Sequence, residues 1–360
     1  MKKKLLSILI TVTMLALCAC GGTGKEPQGN SQAQESGKDA EENSSNAEDP
    51  GNGTAKSDGD TTENGGSAEE PGSGTAAADG KLTMTDPSGA KITVPEQINS
   101  IVVLAPSLSE IVTALGMGDK VTGYDIYSAD VESLPEGVPT FEITNPDMEQ
   151  LAALAPDLLL VTNETLYDQE SPYQALTDAG TCVICVPNPD DIAGIKSDME
   201  FLATALGASE AGSALLDDFN AQLKELADIA AKIPQEERKR VYFEVAPAPN
   251  MYSFGNGVFL NEMIEWIGAK NILADLQGWM TIEGETIVAA NPDAIFTNAN
   301  YMEDPVQEIL SRDGWAGITA VADKNVHCID SNASSQPNHN IIKAMRQMAE
   351  ILYPDYFTAK

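Results

Sequence analysis

The hydrophobic pattern divides the chain into an apolar leader, a long polar stretch and a body in which two periodicities alternate. Residues 5–17 are mostly apolar, and residues 21–80 contain no aliphatic residue larger than alanine apart from proline. From residue 82 onward, short apolar segments bounded by turn residues alternate with segments of helical period. The body is therefore expected to be α/β, with parallel sheets covered by helices on both faces.

The first half of the body carries strand and helix patterns in turn. An alternating segment around Pro87-Ser88-Gly89 predicts a hairpin over 82–94. The further elements predicted here are strands at 101–104, 121–124, 158–161 and 182–186 and helices at 107–115, 145–154 and 190–206.

The longest helical pattern separates this half from a second one. Residues 209–233 place apolar side chains three or four positions apart, and Pro234 stops the helix. Beyond it the pattern predicts strands at 241–245, 294–297 and 326–329 and helices at 259–267, 285–290 and 341–352.

The two halves repeat each other. Residues 149–157 and 285–293 share the order Glu-x-aliphatic-x-Ala-x-x-Pro-Asp, and residues 108–116 match residues 260–268 in a second motif that ends in glycine. A chance match remains the alternative, because a helix followed by Pro-Asp and a strand is a common connection. Two matches in the same order favour two lobes of one design joined by the long helix.

The leader has the features of a lipoprotein signal. Three lysines precede the apolar run, which is too short to span a bilayer comfortably. Its end resembles the bacterial lipobox, so cleavage before Cys20 would free that residue for acylation; Cys18 follows the bulky Leu17 and is the poorer candidate. The alternative is an ordinary secretory signal. We expect a leader over 1–20, lipidation of Cys20 and a disordered acidic tether over 21–80.

Charge and cysteine content narrow the possible partners. The formal net charge is −34, which repels phosphate backbones, so nucleic acid is not an expected partner. The body has three cysteines, Cys182, Cys185 and Cys328. An odd and sparse set argues against a disulfide framework, and a Cys-x-x-Cys inside a strand does not bring its thiols together. All three are interpreted as buried apolar residues.

The motifs of common α/β enzymes are missing from the sequence. There is no Gly-x-Ser-x-Gly elbow and no complete Gly-x-Gly-x-x-Gly after a strand pattern. His327 and His339 are the only histidines, too few for a bare divalent metal site. We expect a binding protein without cofactor rather than an enzyme. A surface α/β enzyme and an adhesion or sensory module remain the alternatives from other classes.

The body resembles the substrate-binding proteins of ABC importers for iron–siderophore complexes and cobalamin. The resemblance covers about residues 82–356 and implies the class III fold, two Rossmann-like lobes bridged by one long rigid α-helix. The implied parts are an N-terminal lobe over 81–208, a bridge over 209–234 and a C-terminal lobe over 235–360. The segments that carry it are IVVLAPSLSEIVTALGMGDKVTG (101–123), NPDMEQLAALAPDLLLVT (145–162), YSFGNGVFLNEMIEWIGAKNILAD (252–275), GWMTIEGETIVAANPDAIFTN (278–298) and NVHCIDSNASSQPNHNIIKAM (325–345).

The resemblance also implies partners and a mode of docking. The protein would be a monomer that binds its ligand between the lobes and delivers it to an ABC permease and its ATPase. One glutamate on each lobe would dock on the permease. Glu149 matches the first by its place after NPDM, and Glu265 best matches the second, with Glu262 close enough to be confused with it.

The expected ligand is a large metal chelate. The body has only four arginines, so a corrinoid or a ferric hydroxamate siderophore fits better than an anionic siderophore. Haem, held by His339 or a tyrosine such as Tyr127, is the alternative. Aromatic faces hold flat or bulky ligands, and Tyr127, Phe141 and Trp279 fall where cobalamin receptors have aromatic contacts. The full set of candidate ligand residues is Tyr124, Tyr127, Phe141, Tyr252, Trp279, Tyr301 and His339.

Overall fold

The computed structural model describes residues 75–76, 82–165 and 172–358. The leader, Cys20 and most of the predicted tether lie outside the described residues. The predicted disordered tether over 21–80 is wrong at residues 75–76. Thr75–Ala76 (β1) forms a strand that pairs antiparallel with Leu82–Thr85 (β2). The strand β2 in turn forms the predicted hairpin with Lys91–Val94 (β3). The two residues of β1 therefore belong to the folded body.

The N-terminal lobe is built on a five-stranded parallel sheet, as the alternating pattern predicts. Its strand order is β6-β5-β4-β7-β8. The strands are Ile101–Val103 (β4), Val121–Asp125 (β5), Thr140–Phe141 (β6), Leu158–Val161 (β7) and Cys182–Cys185 (β8), and the helices are Pro106–Ala114 (α1), Met148–Leu154 (α2), Gln174–Asp178 (α3) and Ile192–Ala205 (α4).

The bridging helix Ser209–Ala230 (α5) leads into the C-terminal lobe. This lobe has a four-stranded parallel sheet of order β11-β9-β13-β14, and β10 and β12 form a separate antiparallel pair. The strands are Arg240–Glu244 (β9), Tyr252–Phe254 (β10), Lys270–Asn271 (β11), Trp279–Thr281 (β12), Ala294–Thr297 (β13) and Val326–Cys328 (β14). The helices are Phe259–Trp266 (α6), Gly284–Ala290 (α7), Pro305–Leu310 (α8), Thr319–Ala322 (α9), Ser331–Ser335 (α10), Ile341–Leu352 (α11) and Pro354–Phe357 (α12).

One buried cluster runs through both lobes. Phe219, Leu223 and Leu226 of α5 share it with Ile101 of β4 and Val241 of β9. Close-packed interiors resist deformation, so a shared core restrains rotation of one lobe against the other. None of the described helices is long and apolar enough to cross a bilayer.

The sequence repeat has a backbone explanation. The helices α1 and α6 are followed two residues later by Gly116 and Gly268, which have φ of 75° and 83°, a conformation that glycine adopts without strain. The helices α2 and α7 are each followed by a left-handed residue, Ala155 and Asn291, with φ of 43° and 48°. Each motif therefore preserves the turn that returns the chain to its sheet.

The repeated Pro-Asp has the same structural role in both lobes. The carboxylate of Asp157 accepts hydrogen bonds from the backbone N–H groups of Asn99 and Ser100, at 2.7 and 3.1 Å, just before β4. The carboxylate of Asp293 accepts one from the N–H of Arg240 at 2.8 Å, at the start of β9. The aspartate after each helix thus fixes the start of the neighbouring central strand.

Candidate functional site

Exposed aromatic side chains follow the carboxyl ends of strands in both parallel sheets, and another lies on the antiparallel ribbon of the C-terminal lobe. In α/β sheets the carboxyl edge is the usual place for a ligand. Among the described residues, the aromatic side chains with large exposed fractions are Tyr127 at 41%, Trp279 at 44% and Tyr301 at 48%. Tyr127 follows β5, Tyr301 follows β13, and Trp279 lies in β12. All three belong to the predicted ligand set.

Trp279 is part of an aromatic surface on the C-terminal lobe. Its ring stacks parallel to that of Tyr252, with centroids 6.1 Å apart and planes at 2°. Phe254 meets Trp279 edge-on from the buried side, at 5.6 Å. The pair sits on the β10–β12 ribbon, which joins the end of β9 through a bridge between Ala246 and Tyr252. This support holds the exposed indole in a fixed orientation.

Tyr127 is positioned by a buried carboxylate. It lies in a 3₁₀ turn, Ile126–Ser128, whose first N–H groups are capped by Asp125: the Tyr127 N–H donates to Oδ1 at 2.9 Å. The Ser128 hydroxyl bonds the other oxygen of Asp125 and the Ser109 hydroxyl of α1, the latter at 2.9 Å. Burial raises the pKa of Asp125 to about 6, although these hydrogen bonds favour the charged form.

The corresponding edge of the C-terminal lobe carries an ion-pair network. Glu244, the buried last residue of β9, receives both terminal nitrogens of Arg312, at 2.8 and 3.0 Å. Arg312 also pairs with Glu308, and its guanidinium lies over Trp315 at 4.3 Å. Burial acts to lower the pKa of Arg312, but hydrogen bonds to the two carboxylates raise it above its usual value. Burial and, next, the charge of Glu244 raise the pKa of the Tyr301 phenol.

Two of the predicted ligand aromatics are buried instead. Tyr124 in β5 and Phe141 in β6 have exposed fractions of 7% and 2%. The ring of Phe141 packs against Gly123, where an added Cβ would meet it at 2.9 Å. In this structure both rings are packed in the lobe interior and have no free face for a ligand.

His339 lies in a loop of unpartnered polar atoms between α10 and α11. Its Nδ1 atom, Oε1 of Gln336 and Nδ2 of Asn338 are buried and have no hydrogen-bond partner within the described part of the chain. Burial and, next, Lys343 lower the pKa of His339 to about 4, although Asp218 of the bridging helix acts in the other direction. The imidazole is therefore neutral at physiological pH, and the loop offers neutral donors and acceptors.

The other histidine and the cysteines of the body are wholly or partly buried side chains. Nε2 of His327 lies 2.8 Å from the side-chain oxygen of Asn325, and burial lowers the histidine pKa. Cys182 and Cys185 are free, buried thiols, and burial raises the pKa of each to about 11. Cys328 is free and half-buried. Over residues 82–165 and 172–358, no group of three His, Cys, Asp or Glu side chains is placed to hold a metal ion.

The candidate docking glutamates differ in their surroundings. Glu149 is exposed in the first turn of α2, which begins at Met148 because Asp147 caps it through two hydrogen bonds of 3.0 Å. Glu265 is exposed on α6 and accepts a hydrogen bond from Asn261 at 3.0 Å. Glu262 is half-buried, and its carboxylate accepts the Ile192 N–H at 2.8 Å.

Two surface cavities accompany these helices. One of about 300 Å³ lies beside α2 and includes Met148 and Ala152, and one of about 390 Å³ includes Glu262, Glu265 and Trp266. The aromatic surface belongs to neither of them.

The lobes, the shared core and the exposed aromatic edges define a two-lobed solute-binding protein. The chain belongs to the periplasmic binding protein family, whose model matches residues 101–333. It is a substrate-binding protein of the ABC-transporter type, and its relatives include cobalamin-binding and molybdate-binding proteins. This membership confirms the resemblance and the class III fold.

The chain is similar to proteins that are named for different ligands. It is 33% identical over 279 residues to an uncharacterized ABC transporter substrate-binding lipoprotein of Bacillus subtilis, YvrC, covering 77% of this chain and 87% of the relative. It is 24% identical over 280 residues to a cobalamin-binding protein of Halobacterium salinarum, covering 76% and 74%. The structure of the Haemophilus influenzae molybdate-binding protein MolA, bound to molybdate, matches with a TM-score of 0.66 and 25% identity, covering 77% of this chain and 92% of that one.

Proposed function

We propose that this protein captures a large, neutral or cationic metal chelate, a corrinoid or a ferric hydroxamate siderophore, and delivers it to an ABC permease. The observation that carries the proposal is the set of exposed rings of Tyr127, Trp279 and Tyr301. Tyr127 and Tyr301 follow strands of the two parallel sheets, and Trp279 lies on the antiparallel ribbon of the C-terminal lobe. Large flat surfaces are held by aromatic faces with a few polar groups.

Charge at this edge argues against a small oxyanion such as molybdate. Oxyanions are bound by cations and N–H donors. Arg312 lies at the edge of the C-terminal sheet, but Glu244 and Glu308 already neutralise it. A molybdate ion would have to displace a buried carboxylate from this arginine, at a large desolvation cost.

Haem is the second candidate, favoured by His339. Its neutral imidazole has an unpartnered Nδ1, which is buried in this structure and would bind iron only after the loop between α10 and α11 exposes it. A haem ligand would still use the exposed aromatic faces, so the two proposals differ chiefly in the role of the histidine.

The absorption spectrum of protein purified from its native membranes distinguishes these ligands. Corrin, ferric hydroxamate and Soret bands differ clearly, and titration with cyanocobalamin, ferrichrome, hemin and molybdate completes the comparison. We expect one chelate per chain, with quenching of tryptophan fluorescence that Trp279→Ala reduces. Stoichiometric binding without turnover agrees with a receptor that is not an enzyme. Tight binding of molybdate alone would overturn the ligand proposal.

Delivery is proposed to use Cys20 as the membrane anchor and Glu149 and Glu265 as docking residues. Glu149→Lys combined with Glu265→Lys should abolish uptake and leave ligand affinity unchanged. The matched control is Glu285→Lys, because Glu285 is the exposed counterpart of Glu149 in the sequence repeat. Cys20→Ser should release the protein from the membrane. Uptake that survives the double charge reversal would show that these glutamates do not dock.

A further inference from the structure

A side-chain hydrogen bond joins a helix of one lobe to a helix of the other. Glu262 lies in the first turn of α6 in the C-terminal lobe, and one of its carboxylate oxygens accepts the N–H of Ile192 at 2.8 Å. Ile192 is the first residue of α4 in the N-terminal lobe, 70 residues away in sequence. The contact does not pass through the bridging helix.

The bond satisfies a helix terminus that one lobe alone leaves incomplete. The first N–H groups of a helix have no partner within it, and the helix dipole favours a negative charge there. Asp191, the local cap, accepts the N–H of Gly194 at 2.7 Å. The N–H of Ile192 is left to Glu262. Because its acceptor is a charged group, this bond is stronger than one between neutral groups.

On the N-terminal lobe, the bond lies at the start of a helix that begins at the carboxyl edge of the sheet. The α4 helix follows the carboxyl end of β8, which is the edge of the N-terminal sheet where ligands bind in this class of fold. On the C-terminal lobe, Glu265 is exposed one helical turn after Glu262 and shares its cavity. The interlobe bond therefore joins the start of a helix at the carboxyl edge of the N-terminal sheet to a residue one turn from the proposed docking residue, beside the end of the bridging helix.

We propose that Glu262 is an interlobe latch, a positioning residue that sets the separation of the lobes and hence the opening of the cleft. This proposal rests on the proposed function in one respect, namely that the ligand binds between the lobes. The hydrogen bond between Glu262 and Ile192 does not depend on that function. The shared hydrophobic core restrains the lobes as a whole, and Glu262 adds a directional tie near the cleft. Glu262 bonds the other lobe, whereas Glu265 is bonded within its own helix and is exposed to solvent.

The test compares Glu262→Ala and Glu262→Gln in full-length protein purified from membranes, without ligand or permease. Amide hydrogen exchange is measured at Ile192 and Gly194. Interlobe distances are measured by pulsed electron resonance between nitroxides on Lys91→Cys and Asp323→Cys, both exposed positions, in a Cys328→Ser background. Cys182 and Cys185 are buried thiols that resist labelling. Asp191→Ala is the matched control, because it removes a cap of the same helix from within one lobe.

We expect Glu262→Ala to raise exchange at Ile192 about tenfold, leave Gly194 protected and move the distance distribution to longer values. Glu262→Gln keeps an oxygen acceptor. It should therefore retain most of the wild-type protection at Ile192 and most of the wild-type interlobe distance. Asp191→Ala should release Gly194 and leave the distances unchanged. Unchanged exchange at Ile192 would overturn the proposal, and so would faster exchange with unchanged distances, since Glu262 would then be a local cap only. These measurements use no ligand, so a negative result would leave the ligand proposal unaffected. Failure of the ligand proposal would likewise leave the interlobe bond unaffected.

Discussion

The two lobes place a similar pair of groups at the edges of their sheets and surround them differently. In the N-terminal lobe, buried Asp125 ends β5 and holds the turn with exposed Tyr127. In the C-terminal lobe, buried Glu244 ends β9 near exposed Tyr301. Each lobe thus has a buried carboxylate at the carboxyl end of a sheet strand and an exposed tyrosine nearby.

The difference lies in what compensates each carboxylate. Asp125 is bonded only by neutral donors, the hydroxyl of Ser128 and backbone N–H groups, and burial raises its pKa to about 6. Burial raises the pKa of Glu244 as well, and Arg312, bonded to both of its oxygens, opposes this effect. The two lobes therefore differ in the partner of the carboxylate, which is a set of neutral donors at Asp125 and a buried cation at Glu244.

Removing the cation should have the largest effect. Arg312→Met leaves Glu244 buried without a counter-charge, and we expect unfolding in urea to show a loss of about 3–5 kcal/mol. Arg346→Met is the control, because it breaks the exposed Arg346–Glu225 pair and should cost no more than about 1 kcal/mol. Equal losses in the two variants would show that Glu244 does not depend on Arg312.

Acidification should distinguish the two carboxylates. Asp125 binds its proton more tightly in the folded chain than in the unfolded one, so its contribution to stability rises as the pH falls through about 6 and levels off below about 4. Between pH 7 and 4.5 this group should add about 2 kcal/mol to the free energy of unfolding.

The variant Asp125→Asn cannot ionise and should lack this part of the pH dependence in denaturant titrations. Asp198, whose pKa burial raises to about 7, titrates in both proteins and cancels in the difference. Parallel pH profiles for the variant and the wild type would contradict the assignment.

The smallest effect on stability is expected at the exposed rings. Tyr127→Ala and Tyr301→Ala should change the free energy of unfolding by no more than about 0.5 kcal/mol, because both side chains are largely exposed. Each should weaken binding of the chelate found by absorption spectroscopy by about threefold to tenfold, measured by fluorescence titration. Val288→Ala, at an exposed apolar side chain on α7, should change neither. Unaltered affinity in both tyrosine variants would remove these rings from the ligand surface.

The main elements of the fold follow from hydrophobic periodicity. The predicted bounds of β7, β13 and α11 agree with the structure at both ends, because each is a continuous or strongly periodic apolar segment. The structure starts α2 at Met148, three residues later than predicted, where Asp147 provides the cap. The strands β6 and β11 have two residues each and were not predicted, since a segment so short carries no periodicity.

The candidate site could be predicted only where a residue type and its place agree. Tyr127, Trp279 and Tyr301, chosen because they follow strand patterns or lie in loops between them, are exposed, and their contact with a ligand stays a prediction. Tyr124 and Phe141 come from the same kind of position, but their strands direct the rings inward. Which face a side chain of a short strand occupies depends on strand pairing and register, and these are not local properties.

The sequence by itself determined the repeated helix–Pro-Asp–strand unit, the long bridge between its copies and the aromatic residues near the strand ends. These are local patterns, governed by side-chain spacing, caps and turn residues. Only the tertiary structure decided that Arg312 neutralises Glu244, 68 residues away, and that Glu262 closes the end of a helix in the other lobe. Such contacts depend on how the packed lobes bring distant segments together. They decide which charges at the cleft remain free for a ligand and which are already engaged within the protein.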